Sequence, residues 1–596
     1  MPSNPDLAIC AGLPRCQSFL QRAPLAVFLL AVWAWLGALF PGGFAFDDTQ
    51  AILESPYVRG DLPLQAAFTQ DYWHHIGDAG HYRPLASLSL RMDYKLYGEW
   101  SPGYHLTSIL LHGLTAALAC LLALRLVRST REAFACVLGL AIFAIHPGLA
   151  DAVAWISARS SSLAVLPGLL VALALFELLS RRSLSSPIRF GVIGFSISCA
   201  LLMGLFGKED GMVSAVFPAL VIARDWQKKN DSKTRDLLGI GLGVLLGLFA
   251  YGYLRQHALG SAIPSAPHAP LAGVPLTGRM QASGAALVEA AQLFLAPFQQ
   301  TPNYRAQDWL SNGVGTALLG WSMWLTSFAS GLLFLAREVR SRRGEFVLAF
   351  ALLGAPLAAV PVLQFLPAGE VFAGRFLYTP MLLGLPALGY LIIHFMPVHG
   401  SRFQLIPRVL GPFILVGATW GCWDSAEAYE SKLAYETAVL KRFPADALAW
   451  NGLGLAQEEN GDSTSARESW EKALAADESY GRPHSNLGRL DLQDHNEAGA
   501  LSHFQSAAEK GPGNPVAWCN LGALQLRMKD FAHARVSYTR ATKIAPGMSA
   551  AWSGLGRAYA ETNELELARA ALDKAIRFDP KNVAALSTRV QFELID

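Results

Sequence analysis

Ala449-Trp450-Asn451-Gly452-Leu453-Gly454 opens a pattern that returns at a step of 34 residues. Leu453-Gly454 recurs as Leu487-Gly488, Leu521-Gly522 and Leu555-Gly556, preceded in turn by Trp450, His484, Trp518 or Trp552. Ala466, Ala500, Ala534 and Ala568 keep the same step, as do Ala473, Ala507, Ala541 and Ala575. Large side chains stand at Trp470, Phe504 and Tyr538, with Leu572 in the last copy. Pro444, Pro512, Pro546 and Pro580 punctuate the ends, and Glu478 takes the place of a fifth proline. A fixed period of this length marks a stack of two-helix units, each burying its apolar face only against its neighbours. Small Gly and Ala let paired helices approach, the large side chain fills the wedge between them, and Pro stops the second helix.

Outward from the repeats, charge density changes near residue 423. The whole chain of 596 residues is 52% apolar and 16% charged, against roughly 25% charged in a soluble protein. From Trp423 onward, 43 of 174 residues are charged, with net charge −5; the 422 before it carry 51 and net +7. A single soluble globule, a disordered chain and a nucleic-acid binder with a concentrated basic face are excluded. The seven cysteines show no metal-ligand spacing, and their odd number argues against a disulfide framework.

Apolar stretches that suit a bilayer occur near 24–40, 106–127, 133–149, 161–179, 189–207, 211–224, 237–254, 313–336, 346–367, 376–396 and 407–422. The first follows Arg15 and Arg22 and reads as a retained signal anchor. Arg125, Arg128 and Arg131, then Arg181, Arg182 and Arg189, then Arg224, Lys228, Lys229, Lys233 and Arg235 fall after alternate spans. The positive-inside bias puts them, and the N-terminus, in the cytoplasm. Arg337, Arg340, Arg342 and Arg343 join them if 281–298 is re-entrant or interfacial, which gives eleven spans. The odd count expects the repeats on the outer side, with loops 41–105, 150–160, 208–210, 255–312 and 368–375.

Those outer loops hold polar residues that demand an explanation. Asp47-Asp48 lies seven residues beyond the first span. Paired carboxylates at a membrane face can supply a general base, raised in pKa by partial burial. The plainer alternative is that Asp48-Thr49 caps a short helix over 50–54. His81-Tyr82-Arg83-Pro84-Leu85, Asp93-Tyr94, Gly103-Tyr104-His105, His146-Pro147, Asp151, Arg159, Lys208-Glu209-Asp210 and Arg375-Phe376-Leu377-Tyr378 follow. Singly, each charge is a snorkelling end-marker. Together, outward cations suit a phosphate bound at membrane depth, and acids among them suit a base acting on a hydroxyl. The sequence has no P-loop, no G-x-S-x-G, no H-E-x-x-H and no D-x-D for a metal–nucleotide sugar.

The repeats resemble tetratricopeptide repeats. With the loop motifs Phe46-Asp47-Asp48, Tyr82-Arg83-Pro84-Leu85, Gly103-Tyr104-His105-Leu106, Leu111-His112, His146-Pro147, Asp151-Ala152-Val153, Arg159, Lys208-Glu209 and Arg375 to Pro380, the chain resembles the TMTC-like proteins. These are transmembrane, tetratricopeptide-containing O-mannosyltransferase-like members of the GT-C glycosyltransferase superfamily. Gly207, where a serine is usual, and Gly374, where a glutamate is usual, depart from the pattern.

The resemblance implies an all-α protein: a polytopic GT-C helix bundle over 1–422 with about eleven spans, then a C-terminal tetratricopeptide solenoid. The tail divides into a linking half-repeat helix within 423–446, four repeats over 447–582 and a capping helix in 583–596. It also implies an inverting transfer of a sugar, mannose by analogy, from a polyprenyl phosphate to a protein Ser/Thr hydroxyl on the periplasmic or lumenal face. Asp48 or Asp47 would be the base, Asp48 preferred. Arg83, Arg159, Lys208 and Arg375 would meet or orient the donor phosphate, with His146 and Glu209 in support. No cofactor or metal ligand set is implied, although a divalent ion stays open. The repeats would engage the acceptor or a partner. Alternatives are glycosylation of a lipid or envelope glycan, and a scaffold without catalysis. The compact loops and four-repeat tail point to a bacterial inner membrane.

Overall fold

The computed structural model describes residues 14–39, 43–45, 47–74, 80–127, 129–181, 184–226, 233–261, 271, 273–297, 313–341, 346–360, 363, 372–395 and 405–593. Phe46, Arg128, Arg182, Lys228, Lys229, Arg342, Arg343 and the last three residues of the expected capping segment lie outside them. Among the described residues all regular structure is helical, and the chain divides into two compact units, Met1–Tyr435 and Glu436–Asp596.

In the first unit a helix lies at each of the eleven apolar segments. Among the described residues seven helices are long and apolar enough to cross a membrane, or eight if Thr130–Ala144 and Pro147–Val153, bent by 62°, form one span. The protein is a multi-pass membrane protein. Val216–Trp226 has 11 residues, about 16 Å at helical rise, which is roughly half the hydrocarbon thickness. It packs on Ser160–Arg181. The segment at 281–298 forms helix Leu276–Leu295, which is not among the seven.

The bend after Ala144 is secured by side chains from other helices. Trp35 Nε1 donates to the Ala144 carbonyl at 3.1 Å, and the His112 ring meets the same oxygen at 3.2 Å. Helix ends leave carbonyls without intrahelical partners, so these two bonds let the chain turn at His146-Pro147 inside the bundle. Arg189, counted above among the cytoplasmic cations, is buried and paired with Asp225 at 2.7 Å and Asp236 at 2.6 Å.

Gly207 explains its own departure from the expected serine. A Cβ there would lie 2.6 Å from Ala164 N and 2.7 Å from Leu163 C, both backbone atoms of the neighbouring helix. Restoring the usual residue by Gly207→Ser therefore overpacks this contact. A loss of about 1–3 kcal/mol in unfolding free energy is expected, measured by thermal or denaturant unfolding of the purified protein.

The second unit is the repeat array. Its pairs are Ala447–Glu459 with Ser463–Ala476, Gly481–Gln493 with Glu497–Lys510, Pro515–Arg527 with Phe531–Ile544, and Ser549–Glu561 with Leu565–Phe578. Helix Lys432–Arg442 precedes them and Val583–Glu593 follows. Gly454, Gly488, Gly522 and Gly556 face Trp470, Phe504, Tyr538 and Leu572 of their own repeats. The eight periodic alanines are all buried. Asp446, Asp462, Asn496, Asn514 and Asp530 cap helix starts through their side chains. Trp450, Trp518 and Trp552 donate Nε1 to the carbonyls of Pro444, Pro512 and Pro546. The second repeat, with His484 and Glu478, uses a histidine pair instead: His484 Nδ1 lies 3.0 Å from His503 Nδ1.

Candidate active site

The first loop turns back immediately after the first span. Asp48 N donates to the Ala45 carbonyl at 2.9 Å, and Asp48 Oδ2 accepts from Ala45 N at 3.3 Å. A helical turn, Thr49–Leu53, follows, but Asp48 makes no side-chain cap to it. The capping alternative is not what the structure shows. The carboxylate instead reaches across 109 positions of sequence to Ser157, accepting from its Oγ at 2.5 Å and its backbone N at 2.9 Å. Asp48 is fully buried. Burial pushes its carboxyl up to about 6, against the opposing pull of the Ser157 and Ala45 hydrogen bonds and the Arg159 charge. Asp47 beside it is half-buried. The buried Tyr72 ring lies in the field of Arg83 as well as that of both aspartates.

The cations fall into two kinds. Arg83 makes a forked pair with Glu209, Nε at 3.1 Å and NH2 at 2.8 Å from Oε2, and His81 Nδ1 lies 3.2 Å from Glu209 Oε1. Burial alone would raise the Glu209 carboxyl, but Arg83 and His81 outweigh it and hold it well below the usual carboxylate range. Lys208 pairs with Asp210 at 3.3 Å and lies 3.4 Å from Ser161 Oγ. Its pKa is lowered, first by burial and then by the charges of Arg375 and Arg83, with Asp210 opposing. Arg375 pairs with Asp151 at 3.3 Å, and its backbone N donates to the same carboxylate at 2.9 Å. Lys208 and Arg375 lie over one ring, Phe376, at 5.0 Å and 5.6 Å from its centroid. The structure brings Arg83, Lys208, Glu209 and Arg375 together.

Arg159 is of the second kind, and its expected role as a phosphate contact does not fit. It is 1% exposed, and its N–H groups go to Ile156 O, Ser89 Oγ, Tyr104 O and the Asp93 carboxylate. It braces the loop that presents Ser157. His146 is also buried; its Nε2 lies 3.3 Å from the Phe294 carbonyl, so it supports helix Leu276–Leu295. Gly374 stands against Asp151: a Cβ there would be 3.2 Å from Asp151 Cβ. Asp151 already supplies the carboxylate beside Arg375.

Sequence reasoning missed Ser157, Trp155 and Arg255. Trp155 lies under the Arg375 guanidinium at 4.8 Å. Arg255 is buried and donates to the carbonyl of Gly80, next to His81, at 2.8 Å. Only the unusual burial of charge near an outer helix end could have hinted at Arg255. Among the described residues no group of three or more His, Cys, Asp or Glu could hold a metal ion.

Family models described as tetratricopeptide repeats match residues 430–481, 457–515 and 526–590. The chain is 32% identical over 219 residues to the protein O-mannosyl-transferase Tmtc2 of Drosophila melanogaster, covering 36% of this chain and 23% of that protein. It is 34% identical over 246 residues to tmtc2 of Xenopus laevis, covering 37% and 28%. A protein O-mannosyl-transferase of Caenorhabditis elegans aligns over 476 residues at 24% identity, covering 77% of this chain and 63% of that one. The chain thus spans about a quarter of the fly and frog relatives. Among solved structures, the tetratricopeptide protein YrrB is similar over 32% of this chain and 89% of its own, at 23% identity and TM-score 0.23. The chain is similar to protein O-mannosyl-transferases over as much as 77% of its length and carries tetratricopeptide repeats.

Proposed function

We propose that the protein is a membrane O-mannosyltransferase that moves mannose from a polyprenyl phosphate to a Ser/Thr hydroxyl of a protein acceptor. The observation that carries this reading is a buried carboxylate, Asp48, with its pKa near 6, in a first unit whose outer-loop residues also group Arg83, Lys208 and Arg375. The acceptor hydroxyl gives its proton to Asp48 as its oxygen bonds to the anomeric carbon. The bond from that carbon to the phosphate oxygen breaks, and its electron pair leaves with the polyprenyl phosphate. Attack opposite the leaving phosphate inverts the centre. The cations meet the charge growing on the phosphate, where fixed partners hold them in place before the reaction. The loops concerned are those expected outside the membrane, on the periplasmic or lumenal face. The tetratricopeptide array would engage the acceptor protein.

The decisive experiment incubates purified protein with polyprenyl-phosphate mannose and a panel of Ser/Thr peptides, glycolipids and envelope glycans, with mass spectrometry of the products. Mannosylated peptide supports the reading. Mannose on lipid or glycan alone moves the acceptor class, and no transfer to any of them overturns the activity.

The pH dependence carries its own sign. Asp48 accepts a proton only when ionised, so kcat/KM is expected to fall with unit slope as pH drops below about 6. The Ser157 hydroxyl lowers that pKa by bonding to the carboxylate. Ser157→Ala should therefore move the acid limb to higher pH; an unmoved limb would detach it from Asp48.

A further inference from the structure

The stretch just after the last apolar helix, Leu405–Glu427, touches the loops that carry the site. We infer that Trp155 and Tyr429 are positioning residues for the Arg375 guanidinium, so that the exit of this helix is a working part of the donor site. The inference rests on the proposed function, in which Arg375 meets the donor phosphate.

Four contacts carry it, all within the first unit. The Arg375 guanidinium lies 4.8 Å over the Trp155 ring. Trp155 is in turn stacked with Tyr429, centroids 6.4 Å apart and planes 19° from parallel. Both rings are buried, 4% and 3% exposed. Tyr429 is backed by Tyr435, edge to face at 6.2 Å. At the next residue, the Glu430 carbonyl sits so close to Gly43 that a Cβ at Gly43 would strike it. Gly43 begins the turn that leads to Asp47-Asp48, and Trp155 is two residues from Ser157, which grips Asp48. Residues 429 and 430 therefore hold both the base loop and the cation loop.

An arginine side chain has several free torsions, and an edge contact with a carboxylate leaves the plane of the fork able to rock. A ring against its face fixes that plane without using any N–H, so the donors keep their aim for phosphate. Asp151 supplies the edge contact here and Trp155 the face. A buried tryptophan keeps its own orientation only while its far face is filled, which is what Tyr429 does.

The test uses the full-length protein with Tyr429→Leu, Tyr429→Phe and Trp155→Phe. Three quantities are read: KM for polyprenyl-phosphate mannose, KM for the peptide, and the Kd of polyprenyl phosphate, which needs no turnover. Tyr429→Leu should raise the donor KM and the polyprenyl-phosphate Kd about tenfold, within the span of a desolvated cation–π contact. The peptide KM should stay put, with the melting temperature lowered only by the few degrees that a smaller buried side chain costs. Tyr429→Phe keeps the ring and should restore wild-type values, with Trp155→Phe between them. Equal rises in both KM values together with a fallen melting temperature would mean a merely structural stack and overturn the inference. So would an unchanged donor KM in Tyr429→Leu. An inactive wild type sinks the proposed function instead, which separates the two failures.

Discussion

Asp48→Asn should reduce sugar transfer by about 10²–10⁴-fold, the usual worth of a positioned general base. The substitution keeps the shape and one acceptor oxygen, so Ser157 can still donate to residue 48 as it does at 2.5 Å, while the 3.3 Å bond from Ala45 N is lost. What is lost is the ability to take a proton. The fold should survive, and the reason lies in the sign of the shift. Burial raises the carboxyl from 3.8 to about 6, so the folded state prefers the neutral form. That preference adds stability below about pH 4 and is lost as pH rises through 6. An asparagine never charges, which offsets the lost Ala45 bond, so the variant should stay close to the wild type in stability above pH 6. Activity and thermal unfolding measured together on the purified variant decide it. Asp47, only half-buried, should tolerate asparagine with a smaller loss. Asp48→Asn with undiminished transfer would take the role of base away from Asp48.

Arg159→Met should instead cost the fold, by about 3–5 kcal/mol, because it leaves a buried carboxylate without its cation. Arg159 is 1% exposed and pairs with Asp93, itself 3% exposed. Its remaining donors satisfy the carbonyls of Ile156 and Tyr104, which join the loop at 155–159 to helix Ser101–Leu126. Loss of properly inserted protein, or a lower melting temperature, is the expected result. Adding Asp93→Leu removes the stranded charge and should recover much of the stability. Substitution at Lys208, whose partner Asp210 is 16% exposed, should cost the fold less and weaken the binding of polyprenyl phosphate. If Arg159→Met folded normally and lost donor binding, the brace would be refuted.

These two arginine classes show where the sequence stops. Arg159 and Arg375 read alike as cations in outer loops, each beside small and aromatic residues. Asp93, 66 positions from Arg159, decides that one is enclosed. Asp151 and Trp155 decide that the other is held by an edge and a face. Asp48 and Ser157 are likewise joined across 109 positions. The left-handed turns of the array were equally hidden. Gly461, His495, Lys529 and Asn563 occupy the same place in successive repeats with positive φ, and only the first is glycine.

The sequence by itself determined the two-part plan. A 34-residue period and 20-residue apolar runs are local patterns, set by helical spacing and by how much apolar surface a helix must bury. It also singled out the polar residues in the loops between the apolar runs. The tertiary structure alone decided which of those charges are enclosed, as Arg159 is, and which come together around Phe376. A charge's role depends on what enters its few ångströms of surroundings, and here those neighbours come from helices far apart in the chain.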